Sequence, residues 1–303
     1  MLVDWPDHSD TGFGSEVLLA RHDVSNSHLF LDGGLAHILD VYPRENLDIW
    51  TFGSEREGLN SSLRGRAPHL RGTEIIEAVK RGHIWLNLRR ANLDVPELKP
   101  VADAIYGSLE DASSRKIRQR DLSVLISSPN VKVHYHLDIP MVALFQMRGQ
   151  KRLWLYPRSE DVAPSTFIED IVHMTREEDL PYCKSYDDDA AVYDLAPGMG
   201  LTWPQFMPHR VQNANCMNVS LSCEYQTLRS FVHANAIYTN KLLRKATPLK
   251  PHVGHQIGPV DVAKAAFARA HKIATRNGAR TSPTPVTFEL DTRSENCVRE
   301  LYL

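Results

Sequence analysis

The chain has 303 residues, of which 42% are hydrophobic and 24% are charged. This composition is typical of a globular protein with a substantial buried core, and it excludes disordered and fibrous classes. Lys and Arg total 35, Asp and Glu total 37, and the formal net charge is -2. The basic excess of a dedicated nucleic-acid-binding protein is absent, so charge gives no reason to expect such a partner.

The N-terminus and the cysteines bear on location. The opening segment, MLVDWPDHSDTGFG, lacks the basic start and apolar middle of a secretory signal. No apolar run in the sequence approaches the roughly 20 residues of a membrane-spanning helix. The cysteines lie at wide spacings without a CxxC pair, which is typical of free thiols in a reducing compartment. We therefore expect a soluble, cytoplasmic protein without a membrane partner.

Residues 1–120 predict a mixed α+β region that packs on the remainder of the fold. A helix is expected over Thr73–Arg81, with Thr73 as its cap and Gly82 at its end. The aromatic and aliphatic segment His83–Leu88 predicts a buried strand. A second helix is expected from about Pro96, because apolar residues recur at the spacing of one helix face. Those residues are Leu98, Val101, Ala102, Ile105, Tyr106 and Leu109.

Residues 121–228 change to short strands separated by Gly and Pro turns, a pattern typical of a sandwich or barrel. The expected strands are Leu122–Ser127, Val131–Asp138, Val142–Met147, Lys151–Tyr156, Ala191–Leu195, Gly200–Trp203 and Met217–Tyr225. The acidic run Asp187–Asp189 lies between two of them and is expected to be a solvated loop, because hard-cation loops need ligands that alternate around a turn.

Residues 229–303 predict a helical extension with a short tail. Its last helix is rich in alanine and is expected to run from an Asp261 cap to Arg276. Residues Arg280–Pro285 have the composition of a linker. The tighter apolar face of the helix comprises Ala263, Phe267, Ala270 and Ala274.

The densest chemical signal is the segment Val133-His134-Tyr135-His136-Leu137-Asp138. Alternate side chains of a strand share a face, so His134, His136 and Asp138 are expected to point together. Three side chains able to bind metal on one strand face favour a metal site. The alternative is a polar strand face, or a core histidine beside an unrelated aspartate, and this segment alone leaves both interpretations open.

A second segment places His209 just after a turn bounded by prolines. It resembles the second cupin motif, G-x5-P-x-G-x2-H-x3-N, with Gly198, Pro204, His209 and Asn213 in place. Phe206 stands where the motif has its second glycine. We therefore expect the turn to take another shape.

Together the two segments resemble the JmjC-type, cupin-like oxygenases, whose metal site is H-x-D on one strand and a distal histidine. The resemblance is specific over about residues 120–225. It implies a mainly β fold with flanking helices, in which a double-stranded β-helix (cupin jelly roll) forms the core. It also implies Fe(II) held by His136, Asp138 and His209, with the opposite face of the metal open to a co-substrate and dioxygen.

The resemblance further implies 2-oxoglutarate as co-substrate. Lys151 occupies the position at which JmjC hydroxylases pair a lysine with the distal carboxylate of 2-oxoglutarate, and a buried carboxylate needs such a partner. By itself, Lys151 would be an ordinary hairpin lysine. Relatives often carry Thr at the position of Val133 and Asn at that of Val142, so this sequence departs from the pattern around the co-substrate.

Two polar residues of the last expected strand, Asn218 and Ser220, are candidates for the same pocket. They alternate with apolar residues, so they line the pocket if the apolar set faces the other way. Otherwise they form the solvated side of an edge strand.

The expected function is therefore an Fe(II)- and 2-oxoglutarate-dependent dioxygenase, a hydroxylase acting on a protein, a peptide or a small molecule. The sequence does not separate hydroxylation from demethylation. One alternative is a cupin metalloenzyme that holds Zn, Mn or Ni with His134, His136 and His209 and uses no 2-oxoglutarate. The other is a non-catalytic binding module, which the departures at Val133 and Val142 favour.

Related JmjC hydroxylases dimerise through a helical extension. The resemblance therefore implies a homodimer through the face that holds Ala263, Phe267 and Ala270. The alternative is that this face covers the flank of the barrel of the same chain.

Overall fold

A computed structural model describes residues 1–7, 9–52, 62–176, 178–249, 251–252, 257–275 and 284–301. The strands of the described residues are β1 Val3–Asp4, β2 Leu18–His22, β3 Leu47–Phe52, β4 Ser62–Arg66, β5 Ile84–Leu88, β6 Gln119–Ser127, β7 Lys132–His136, β8 Met141–Arg148, β9 Lys151–Leu155, β10 Ala191–Leu195, β11 Met199–Thr202, β12 His209–Asn213, β13 Asn218–Gln226, β14 Val286–Leu290 and β15 Val298–Glu300.

The α-helices are α1 Ser9–Gly12, α2 Asp32–Val41, α3 Gly72–Arg81, α4 Ala91–Asp94, α5 Lys99–Ser113, α6 Ser165–Val172, α7 Leu228–Ala246 and α8 Pro259–Thr275. Short 3-10 helices occupy Val24–Asn26, His28–Phe30, Arg44–Asn46, Pro96–Leu98 and Lys184–Asp189. None of the helices in the described ranges has the length and apolar character of a bilayer span. All four cysteines are free thiols, as the sequence predicts.

Eight consecutive strands, β6 to β13, form the core of the fold. Four of them are neighbours in the larger sheet in the order β11-β8-β13-β6, and the other four form the smaller sheet in the order β10-β9-β12-β7. The chain thus crosses repeatedly between two facing antiparallel sheets, which is the jelly-roll arrangement. The predicted double-stranded β-helix core is confirmed. Seven of its strands match the expected ones, β10 with the expected bounds and the other six with shifted ends, whereas β12 was not predicted.

Strands from both ends of the chain extend the larger sheet to eleven strands. The pair β1-β2 joins at β11, and the strands β5-β3-β4-β14-β15 continue from β6. The N-terminal region therefore continues the same sheet instead of packing as a separate layer. Strand β14, close to the C-terminus, runs parallel to β4. A division into regions at residues 120 and 228 stays a prediction.

Three clusters of buried apolar residues hold the layers together. The first lies between the outer face of the larger sheet and helices α2, α3 and α5, and the second covers the outer face of the smaller sheet with α6 and α7. The third lies inside the barrel and is small: Val142, Leu144, Leu153, Leu155, Leu195, Leu201 and Trp203. The barrel interior therefore leaves positions for polar side chains.

The two helices predicted in the N-terminal region are present. Helix α3 begins at Gly72, one residue before the expected cap, and the carboxylate of Glu74 accepts a hydrogen bond from the Arg71 N–H at 2.8 Å. It ends where expected, at Gly82. All six apolar residues predicted for the face of the second helix are buried: Leu98, Val101, Ala102, Ile105, Tyr106 and Leu109.

Helix α8 differs from its prediction at its start and in its buried face. It begins at Pro259, and Asp261 Oδ2 accepts from the Gly258 N–H at 3.0 Å, so Asp261 lies in the first turn instead of capping it. The buried residues are Asp261, Ala265 and Ala268, whereas Phe267 is 53% exposed. The alternative that the Phe267 face covers the barrel is therefore wrong. The expected end at Arg276 and most of the expected linker lie outside the described residues.

An aromatic cluster on the outer face of the smaller sheet surrounds Arg210 of β12. The guanidinium lies 3.6 Å from the ring centroid of Trp154, and it donates to the Tyr156 hydroxyl at 2.6 Å and to Asp187 at 2.8 Å. Asp187 also accepts from the hydroxyls of Tyr156 and Tyr182. The expectation of a solvated loop is therefore wrong for Asp187. Arg210 fastens this segment to the strand that begins with His209.

We expect Arg210→Ala to lower the free energy of unfolding by about 2–3 kcal/mol, because it removes a half-buried ion pair and a cation–π contact and leaves Asp187 without its cation. Urea denaturation followed by circular dichroism measures this loss. Arg152→Ala on the neighbouring strand is the matched control, since its ion pair with Asp194 is exposed and little should change. Equal losses in the two variants would contradict the role given to Arg210.

Candidate metal centre

Two neighbouring strands of the smaller sheet bring the candidate ligands together. His136 is the last residue of β7 and His209 the first of β12, and the two are directly paired in the antiparallel register. Asp138 follows two residues after the end of β7. One ligand atom from each of the three side chains lies within 4.8 Å of the others, and His209 Nε2 is 3.4 Å from Asp138 Oδ2.

The backbone selects the nitrogen that each imidazole offers. His136 Nδ1 is 2.7 Å from the carbonyl oxygen of His134, and His209 Nδ1 is 3.1 Å from that of Met207. A carbonyl only accepts, so each Nδ1 carries the proton and each Nε2 keeps its lone pair. Such outer hydrogen bonds orient histidine ligands in metal sites. Two Nε2 atoms and one carboxylate form the donor set preferred by Fe(II) in non-haem oxygenases, so these residues fit that metal.

His209 is shielded from solvent. It is 4% exposed, and the Trp203 ring lies 5.0 Å from it, centroid to centroid. Burial, with a smaller contribution from the neighbouring His136, lowers the pKa of His209 to about 4. The imidazole is therefore neutral at physiological pH, which is the form that binds a metal.

A register shift separates His134 from the other ligand candidates. The pairs His209–His136 and Val211–Val133 flank a β-bulge, so His134 and Tyr135 together oppose a single residue, Arg210. The strict alternation expected from the sequence is interrupted there. The group of ligand atoms that lie within 4.8 Å of one another contains His136, Asp138 and His209 and does not include His134.

Phe206 adopts the backbone conformation that favours glycine. Its φ is 61°, in the left-handed region that glycine favours. The different turn shape expected from the sequence stays a prediction. A left-handed conformation costs about 1–2 kcal/mol for an L-residue. The Phe206 side chain is 1% exposed and packs edge-on against His233, with ring centroids 5.3 Å apart. Burial of the ring offsets the backbone cost.

Lys151 lies on the inner face of the barrel. On β9 it alternates with the exposed Arg152 and shares its face with Leu153 and Leu155 of the inner apolar cluster. Its side chain is 7% exposed, so it is no solvated hairpin lysine. Burial alone lowers the pKa of Lys151 to about 8, and no carboxylate of the described residues offsets that effect. A buried ammonium whose charge no neighbouring carboxylate compensates favours the binding of an anionic ligand.

Asn218 and Ser220 are both fully buried on β13, which lies between β8 and β6, so the edge-strand alternative is wrong. They face the barrel interior, because Ser220 is paired with Gln146 in the register that aligns Ser222 with Leu144 of the inner cluster. The Gln146 amide donates to Asn218 Oδ1 at 2.8 Å, and Ser220 donates to Gln146 Oε1 at 2.7 Å. Their polar atoms are therefore already engaged with one another.

Sequence reasoning missed Gln146 and Glu224 of the interior, and it gave Asn213 only as a residue of the second cupin motif. Gln146 joins Asn218 to Ser220, and Asn213, opposite Lys151, donates to Ser127 Oγ at 2.8 Å. Glu224 continues the polar alternation of β13, and burial, aided by the charge of Asp138, raises its pKa to about 7. The alternation of Asn218, Ser220 and Ser222 is the signal that could have found Glu224.

The two positions at which the sequence departs from the JmjC pattern that it resembles have apolar surroundings. Val142 belongs to the inner apolar cluster and is 4% exposed. Val133 lies directly opposite Val211, which packs against the same cluster.

Comparison with protein families and with curated proteins gave no match. Solved structures of the Escherichia coli ribosomal oxygenase YcfD are similar to this chain. One shares 15% sequence identity, over 95% of this chain and 73% of its own, with a TM-score of 0.46. Another, in complex with cobalt and 2-oxoglutarate, shares 16% identity over 95% and 74%, with a TM-score of 0.47. At this identity the similarity concerns the fold alone.

We expect Asp138→Ala to weaken Fe(II) or Co(II) binding by more than the about 10–100-fold that loss of an outer hydrogen-bond partner costs, because it removes a direct ligand. Calorimetric titration of the metal-free chain under anaerobic conditions measures the affinity. His134→Ala is the matched control and should retain the affinity of the parent chain. The reverse pattern, metal lost in His134→Ala and kept in Asp138→Ala, would favour the three-histidine site.

We expect Lys151→Met to raise the free energy of unfolding at pH 7, by up to about 3 kcal/mol, because folding lowers the pKa of this lysine by roughly 2–3 units. A lysine with a lowered folded-state pKa destabilises the fold below that pKa, and the penalty disappears as the pH rises from about 8 to 10.5. The gain should therefore shrink over that range in urea denaturation. The exposed Lys184→Met is the control, and an equal gain there would contradict the assignment.

Proposed function

We propose that the protein is an Fe(II)- and 2-oxoglutarate-dependent oxygenase of the hydroxylase type. The observation that carries the proposal is the buried ammonium of Lys151, which has no carboxylate partner among the described residues and shares the barrel interior with the candidate metal ligands. A metal site alone fits many cupin-like proteins. A metal site together with a buried, uncompensated cation fits a metal that binds an anionic co-substrate.

In this proposal, separate sets of residues bind the metal, bind the co-substrate and exclude water. His136, Asp138 and His209 would hold Fe(II), and Lys151 would pair with the distal carboxylate of 2-oxoglutarate. The inner apolar residues Leu153 and Trp203 keep water from the site. Bound Fe(II), 2-oxoglutarate and dioxygen would supply oxidative C–H chemistry with release of succinate and carbon dioxide.

The prime substrate is proposed to be a protein, a peptide or a small molecule that presents a C–H bond to the metal centre. A cytoplasmic location and a homodimer through α8 stay proposals. The exposed apolar side chains of α8, among them Phe267, Val260 and Ile273, support the dimer.

A non-catalytic binding role is the second candidate. The apolar surroundings of Val133 and Val142 favour it, because the Thr and Asn that relatives use near the co-substrate have no polar replacement at these positions. It requires that 2-oxoglutarate neither binds nor stabilises the protein.

The deciding experiment is an anaerobic titration of the metal-free chain with Fe(II) and then 2-oxoglutarate, followed by visible absorption. We expect the charge-transfer band of the chelated complex in the parent chain and its loss in Lys151→Met at the same 2-oxoglutarate concentration. Arg152→Met, the adjacent outward-facing position, should retain the band. Iron binding without a band in the parent chain would reject the oxygenase proposal and leave the metalloenzyme or binding-module alternatives.

The affinity for 2-oxoglutarate, measured from the same absorption band, should depend on pH. Because the pKa of Lys151 is about 8, the free protein loses the ammonium above that pH. The apparent affinity for 2-oxoglutarate should then fall about ten-fold for each pH unit, since binding must restore the proton. An affinity that stays constant between pH 8 and 10 would contradict the pairing with Lys151.

A further inference from the structure

A cavity of about 290 Å³ lies where the first turn of α7, the connection between α5 and β6, and the loop before His209 meet. Neither the candidate metal ligands nor Lys151 is among the residues that line it. Met207 is shared between the cavity and the barrel interior, since it lines the cavity and also packs against the inner apolar cluster of the barrel.

The cavity wall is strongly basic. Three arginines line it, Arg115, Arg158 and Arg229, and all three are half-buried. The described residues of the lining include no Asp or Glu. Three guanidinium groups around one small space make that space favourable for an anion.

Neutral groups hold two of the guanidiniums in place without neutralising them. Arg158 donates to the Gln205 carbonyl at 3.1 Å, and Arg115 donates to the Phe13 carbonyl at 3.2 Å. Burial lowers the pKa of Arg158, and no carboxylate of the described residues opposes that effect. Gln205 is itself fixed, because its amide donates to the Ile139 carbonyl at 2.7 Å.

The remaining wall indicates the kind of anion. Arg229 lies in the first turn of the 19-residue helix α7, where the helix dipole favours negative charge. Guanidinium groups match the oxygens of phosphate in a two-pronged geometry, and a dianion balances more of this charge than a carboxylate does. Met141 and Ile257 add an apolar portion, and the volume is several times the about 30 Å³ share of a water molecule.

We propose that this cavity binds a small organic phosphate, with the phosphate group among Arg115, Arg158 and Arg229 and the carbon portion against Met141 and Ile257. The site is independent of the proposed oxygenase chemistry, and it requires neither iron nor 2-oxoglutarate.

The test uses the metal-free full chain, with inorganic phosphate and glycerol 3-phosphate as probes at constant ionic strength. Calorimetry should show saturable binding of both probes, with the ester tighter because it also contacts the apolar wall. The melting temperature should rise with probe concentration. Arg158→Gln and Arg115→Gln should each weaken binding about ten-fold or more, the effect of losing a hydrogen bond to a charged group. Arg293→Gln, an exposed arginine in the turn between β14 and β15, should bind like the parent chain.

Arg229→Gln keeps the proposal testable if a more buried variant fails to fold, because Arg229 lies at a helix end. Circular dichroism and the melting temperature without ligand establish that each variant is folded. The proposal is overturned if the parent chain binds neither probe saturably, or if folded Arg158→Gln and Arg229→Gln bind like the parent. It is also overturned if phosphate binding is lost in Lys151→Met and kept in the arginine variants, since the anion would then lie in the barrel.

Discussion

The antiparallel pairing of β7 with β12 is the constraint on which the site depends. It sets His136 directly opposite His209, and it brings Asp138, two residues beyond the end of β7, within 3.4 Å of the second histidine. A slip of one residue would turn either imidazole away from the interior. The bulge at His134 and Tyr135 and the outward clamp of Arg210 on Trp154 both act on this pair of strands. One face of β12 thus carries the candidate ligand His209, and the other face carries Arg210, which holds the strand against its neighbours.

The interior of the barrel is polar in a way that lowers stability. A buried ammonium with no counter-ion among the described residues, and a row of amides and hydroxyls, replace apolar side chains that would pack more favourably. The amides compensate by hydrogen bonding, as Gln146 does with Asn218 and Ser220, whereas Lys151 has no charged partner in the part of the chain that the structure describes. Sites that must bind a charged ligand often show this conflict between stability and function. Because the amides are paired and the ammonium of Lys151 is not, Lys151 is favoured as the ligand-binding group.

Much of the fold and the three candidate ligands could be predicted from the sequence, because strand alternation and helix periodicity are local signals. Strand β12 was not predicted, because His-Arg-Val-Gln-Asn has one β-branched residue and polar side chains on both faces. The bulge beside His134 depends on the partner strand, so strict alternation misplaced that residue. The apolar face predicted for α8 differs from the face that is buried within the chain, because alanine is compatible with contact on either side of the helix. The arginines of the cavity lie far apart in sequence, and only the tertiary fold brings them together.

The parallel pairing of β14 with β4 has a consequence for the order of folding. Arg66 and Glu289, which form an ion pair across these strands, are separated by 223 residues. During synthesis at roughly 5–20 residues per second, the free edge of β4 stays uncovered long after the barrel strands have emerged. An uncovered strand edge is a template for pairing with other chains. The strands β14 and β15 thus cover the edge of β4 only at the end of synthesis. For an interval of seconds, association of the nascent chain with other chains at β4 competes with completion of its own sheet.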